Sequence, residues 1–239
     1  MTDVPTSVSR FHEAMRAALL GEIGPAELEQ RAGGPSSSRS RLGLVVRMVH
    51  AGHRSLIERA YPATRRAAAG AFDDAVRTHL ARLRGSERDY PALALGFPDA
   101  LEQTWADPRC VELADWEESL HRLRVVGAPT PHTCERGPVL ARQYTFDAPR
   151  CAAALRTDEG DEARSPADWP EAMTFVLLHR DPDRGRPMWF APSAHHLAAL
   201  AVARGEMSPT AAAAAMGATA LRDAHDDLVA RGVLRGVSR

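Results

Sequence analysis

Apolar positions along this chain recur first at helical and then at strand spacing. Leu113, Trp116, Leu120 and Leu123 lie three, four and three residues apart. They predict a helix over 111–124 with one apolar stripe, and Glu112, Asp115, Glu117 and Glu118 turned away from it. Upstream, Phe11, Met15, Ala18 and Leu19 share a helical face, and Pro25 suits the first position of a short helix through about Arg31. The stretch AGGPSSSRS, 32–40, reads as a flexible linker. Leu42, Val45, Val49, Gly52 and Leu56 form the seam of a long amphipathic helix, which Tyr61-Pro62 interrupts because a residue before proline avoids helical torsions. Phe72, Val76, Leu80 and Leu83 define the next helix, stopped by Gly85, and Pro98 starts another that carries Leu101 and Trp105.

After about residue 124 the period shortens. In Val139–Phe146, Leu140, Arg142, Tyr144 and Phe146 fall on one face of a strand. Residues 157–171 are an acidic, proline-containing loop, Met173–His179 a second strand, DPDRG over 181–185 a turn, and Arg186–Ala191 a third strand. Three helices follow: Ser193–Arg204, one capped by Ser208 with Pro209 first, and Thr219–Arg231 ended by Gly232. The chain therefore reads as α+β: an all-helical bundle over 1–126, a Pro/Gly-rich linker over 127–138, and a winged-helix-like module of three strands and three helices over 139–239.

Composition narrows function mainly by exclusion. A net charge of −1 gives no overall attraction to nucleic acid or anionic lipid. All 30 basic residues are arginine, the mark of a G+C-rich coding bias. Charge is unevenly spread: 39–88 holds eleven arginines against four acids, 89–122 eight acids against two arginines. Such polarity suits docking to another protein. Three cysteines without a C-x-x-C pair, no signal-like segment and no long apolar run point to the cytoplasm.

The order of Tyr61-Pro62, Gly96-Phe97-Pro98 and Leu113-Ala114 with Glu117, Leu120 and His121, over residues 10–124, resembles the N-terminal domain of HvfC/BufC-type partner proteins. Those proteins accompany the multinuclear non-haem iron oxidative (MNIO) enzymes that modify ribosomal peptides. One departure stands out: family members usually carry a Tyr- and Asn-containing segment where this chain reads Val45-Val46-Arg47-Met48-Val49-His50. The strand and helix order of 139–231 is similar to the RiPP recognition element, in which a leader peptide adds beside the third strand and lies against the third helix. Together the resemblances imply a non-catalytic subunit that forms a heterodimer with an iron oxidase and presents a precursor peptide, with iron in the partner and no cofactor in this chain. They imply peptide contacts from Arg186, Met188, Trp189 and Phe190 on the strand and from Leu221, Arg222, His225 and Val229 on the helix. Docking contacts would come from Arg47, His50 and Arg54 and from Trp116, Glu117 and His121.

The residues themselves supply no competing chemistry of equal weight. His50 and His53 stand three apart on a helix without a third ligand at motif spacing, and His195-His196 diverge by about 100°. His132 and Cys134 in the linker gain no metal partner by spacing either. Cys110, Cys134 and Cys151 read as small hydrophobes. Glu117–His121 and Glu118–Arg122 read as surface i, i+4 pairs, and Trp116 as packed rather than as a cofactor contact. Ala32-Gly33-Gly34 lacks the context of a phosphate loop. The alternative is a winged-helix DNA-binding regulator. Against it, the final helix carries Asp223, Asp226 and Asp227 where phosphate contacts would require cations. No catalytic residue and no metal ligand is expected, and neither a membrane nor nucleic acid is an expected partner.

Overall fold

The computed structural model describes residues 6–19, 22–32, 36–83, 90–104, 107–125, 130–157 and 166–236. It is a mixed α+β chain, helical at first and then built on a three-stranded antiparallel sheet, as the periodicity predicts. Two compact units divide it: residues 1–118 with 152–167, and residues 119–151 with 168–239. The division does not fall at 127–138. Residues 130–138 belong to the second unit, and Trp105 and the 158–165 part of the acidic loop lie outside the described residues.

The first unit contains α1 (Thr6–Leu19), α2 (Pro25–Ala32), α3 (Ser36–Ala60), α4 (Pro62–Ala68), α5 (Gly70–Arg82), α6 (Phe97–Thr104) and most of α7 (Pro108–Arg124). Residues 36–40, expected in a linker, are the first turns of α3. The buried face of α3 also differs from the predicted seam. Val46, Ile57 and Ala60 are buried, whereas Val45 is exposed and Val49, Gly52 and Leu56 are only half-buried. Two neighbours select this face: Val46 joins Ala14 and Ala18 of α1, Ile23 of the following bend and Leu28 of α2, and Ile57 and Ala60 join Phe72, Phe97, Leu101 and Ala114. His50 and His53 lie half-buried on the same side. The predicted stripe of α7 is buried as expected, at Leu113, Trp116, Leu120 and Leu123.

Tyr61, the Gly96–Phe97 turn and the Glu117-Glu118 pair meet at one buried polar centre. Tyr61, fully buried, donates its hydroxyl to the Ala94 carbonyl at 2.6 Å and lies 3.3 Å from Glu118 Oε2. Its ring packs on Phe97, 4.7 Å between centroids. Glu118 also accepts from Gly96 N–H at 2.9 Å. Glu117, 1% exposed, caps the start of α4: it accepts from Ala63 N at 3.0 Å, Thr64 N at 2.9 Å and Thr64 Oγ1 at 2.9 Å, and pairs with Arg156 at 2.9 Å. Proline at the first position of α4 has no N–H to satisfy, so one carboxylate serves the next two. Glu117 and Glu118, expected on the surface, are therefore buried.

In the second unit the strands are β1 (Val139–Phe146), β2 (Glu171–Arg180) and β3 (Pro187–Phe190), in the order β1-β2-β3. The helices α9 (Ala194–Arg204), α10 (Pro209–Met216) and α11 (Ala218–Ala230) follow. An additional helix, α8 (Ala148–Arg156), separates β1 from β2 along the chain; its residues 148–151 belong to this unit and 152–156 to the first. The core joins Val139 and Leu177 of the sheet to Ala199, Leu200, Ala224, Leu228, Val233 and Leu234. Glu135, in the segment read as a linker, is buried and tied in on two sides. Its carboxylate accepts from Arg204 at 2.7 Å and from His132 N at 3.0 Å, and residue 135 bridges Leu234. Pro and Gly content alone does not make this segment a linker, because the Glu135 carboxylate ties it to Arg204.

Candidate functional site

The turn that aims β3 is built on Asp181. Its carboxylate accepts from Asp183 N at 2.9 Å and Arg184 N at 3.2 Å, and its backbone exchanges bonds with Gly185 and Arg186, each 2.8 Å. Those N–H donors hold the Asp181 carboxyl below its ordinary value. Gly185 takes φ +65°, a left-handed torsion that glycine adopts without strain. The chain then returns as β3, a four-residue strand paired with β2 alone among the described residues. Its opposite margin is a sheet edge, the feature to which an extended peptide can add.

Register decides which side chains accompany that edge. Met188 pairs across from His179 and Phe190 from Leu177, so both share the face covered by the helices. Trp189 pairs across from Leu178 and points to the other face. Met188 is 43% exposed and Trp189 45%, and Phe190 is half-buried. Arg186 is exposed in the turn before the strand. The four expected strand contacts thus flank one edge from two sides instead of lining one wall.

The helix contacts divide as well. Leu221, His225 and Val229 form a row, half-buried, along one margin of the stripe buried by Ala224 and Leu228, with Arg222 exposed beside it. Asp227 lies roughly 160–200° round α11 from His225 and Val229. It is the Asp227 side that meets β3, through Arg231, whose guanidinium carbon stands 4.5 Å from the Phe190 ring centre. Leu221 and Val229, named as peptide contacts by the resemblance, pack against the core of this unit, and a helical period alone does not say which margin of the helix faces the strand.

A linked set of polar groups, which sequence reasoning did not bring together, holds this margin. Ser193 N–H donates to His196 Nδ1 at 3.0 Å, and His196 N–H returns a bond to Ser193 Oγ at 3.3 Å, closing a capping box at the start of α9. With Nδ1 accepting, Nε2–H donates to Asp227 Oδ2 at 2.9 Å. Arg231 Nε donates to the same oxygen at 2.5 Å, and these two donors hold Asp227 below the usual carboxylate range, Arg231 first. The His196 ring meets Phe190 edge-on at 5.6 Å. One network therefore joins the start of α9, the end of α11 and the last residue of β3. The only sequence signal was Ser193 followed three residues later by a ring that can accept.

The expected docking residues fall into two classes. Trp116 and Glu117 are buried and serve the helical core, which corrects their placement on an outer surface. Arg47 and Arg54 are exposed, and His50 and His121 are half-buried. Arg54 is engaged by Glu58 at 2.7 Å and Asp73 at 2.6 Å. Among the described residues no group of three or more His, Cys, Asp or Glu side chains is placed to hold a metal ion, and no helix is long and apolar enough to cross a membrane. No protein-family model matches the chain, and no curated protein matches it either.

Proposed function

We propose that this chain is the non-catalytic subunit of a peptide-modifying pair, a cytoplasmic partner that holds the leader of a ribosomally made precursor along the outer edge of β3. The modifying enzyme would be an iron oxidase of the MNIO type, forming a heterodimer with this protein and carrying the iron. The observation that supports the reading most is the short unpaired edge of β3, bordered by half-exposed Met188 and Trp189 and backed by a rigid polar brace. Four residues offer few outward backbone bonds, so the flanking side chains must carry much of the affinity. A presenting subunit raises the rate by local concentration and orientation, and needs no bond-making group of its own. DNA binding through α11 is the weaker alternative, because Asp223 and Asp226 are exposed on that helix and would repel phosphates.

The test is co-expression with an MNIO-type oxidase and a candidate precursor peptide. The pair should co-purify as a heterodimer, and the isolated chain should be colourless and inactive toward the peptide. Labelled leader should bind the isolated chain, and Met188→Asp should weaken binding at least tenfold without changing the melting temperature. Binding unaffected by both Met188→Asp and Trp189→Glu would remove β3 from the site.

A further inference from the structure

The face of α3 turned away from the core carries apolar side chains that the first unit leaves uncovered. Leu44 is 50% exposed, Val45 44% and Met48 65%. At about 100° per residue, Leu44, Met48 and exposed Ala51 fall within an arc of roughly 60°, opposite the buried row of Val46, Ile57 and Ala60. Val45 widens the patch on one side, and exposed Arg47 and Arg54 border it on the other. The helix is basic throughout: Arg39, Arg41, Arg47, Arg54 and Arg59 stand against the single acid Glu58. Glu58 is itself engaged by Arg54 at 2.7 Å and Arg65 at 3.2 Å, and Arg54 also by Asp73, which leaves Arg47 beside the patch with no ion pair among the described residues. A lone cation next to an apolar stripe calls for a surface with apolar knobs and a carboxylate border.

We infer that this face of α3 is where the oxidase docks, and that it receives an acidic amphipathic helix of that partner, with leucine-like side chains over Leu44 and Met48 and a carboxylate opposite Arg47. The inference rests on the proposed function and names the surface used for its protein–protein step. Two other occupants fit less well. The patch has no aromatic anchor and only three large apolar side chains, too little for a membrane surface. A second copy would set one basic helix against another.

The experiment uses full-length chain co-expressed with an MNIO-type oxidase. Met48→Glu and Arg47→Glu, both at exposed positions, should each reduce co-purified oxidase at least tenfold and leave the melting temperature and the affinity for labelled leader unchanged. Raising salt from 50 to 500 mM should weaken the wild-type pair several-fold and the Arg47→Glu pair less. A photo-crosslinker at position 48 should attach to a helical, net-acidic segment of the oxidase. If the wild-type chain retains no oxidase, the proposed function itself fails. If both variants retain it fully, docking lies elsewhere and this inference fails alone. Crosslinking to lipid, to a second copy, or to a basic segment would also overturn it.

Discussion

At the scale of single residues, stability is concentrated where buried polar groups are fully partnered. Glu117 serves two helix N–H groups, a threonine hydroxyl and Arg156, so its removal leaves donors without acceptors. Glu117→Ala should cost about 3 kcal/mol, and Glu117→Gln somewhat less, in urea unfolding; a cost below about 1 kcal/mol would mean that α4 does not depend on this cap. Ala69, between α4 and α5, sits at φ +44°, ψ −117°, a conformation that an L side chain resists. Ala69→Gly should therefore stabilise the protein by about 1 kcal/mol in the same assay. Burial holds His79 below its ordinary 6.5, more than the Leu93 carbonyl, which accepts from its Nε2–H at 2.7 Å, can offset. Burial lowers His179 and His53 in the same direction. Each ring binds its proton more readily in the unfolded chain. Stability should thus be complete above about pH 6.5 and decline as pH falls from there toward the lowered folded values. The urea midpoint should drop between pH 7 and pH 5, and His79→Gln should flatten that dependence.

Among elements, legibility followed the contrast between apolar and polar positions. β1 begins and ends where alternation predicts, and the stripe of α7 is buried at all four predicted positions. The DPDRG turn holds because Asp181 and Gly185 each supply what a tight turn requires. Long helix α3 is legible as a helix but its buried face is not: several apolar rows compete along it, and the neighbours that choose Val46 and Ile57 are remote in sequence. Short α4 and α8, of seven and nine residues, span too few turns for a helical period to stand out. The polar site was the least legible part. Glu117, Glu135 and Asp227 look like surface acids until distant segments bring Thr64, Arg204 and His196 to them. The brace at Asp227 has its own consequence. Asp227→Ala removes the shared acceptor of His196 and Arg231 at an exposed margin, so global stability should fall by only about 1 kcal/mol. Amide exchange should accelerate at 190–196 and 227–231 and stay unchanged in β1; uniform acceleration would show that the network does not act locally.

For the whole molecule, we propose that the two units divide the labour: helices that meet another protein, and a small sheet whose edge strand meets a peptide. The most direct test is amide hydrogen exchange on the full-length chain, with and without saturating precursor peptide. Exchange should slow at 188–190 on the edge of β3, with little change in β1. A peptide that binds while those amides exchange as before, or an isolated chain that modifies the peptide unaided, would contradict it.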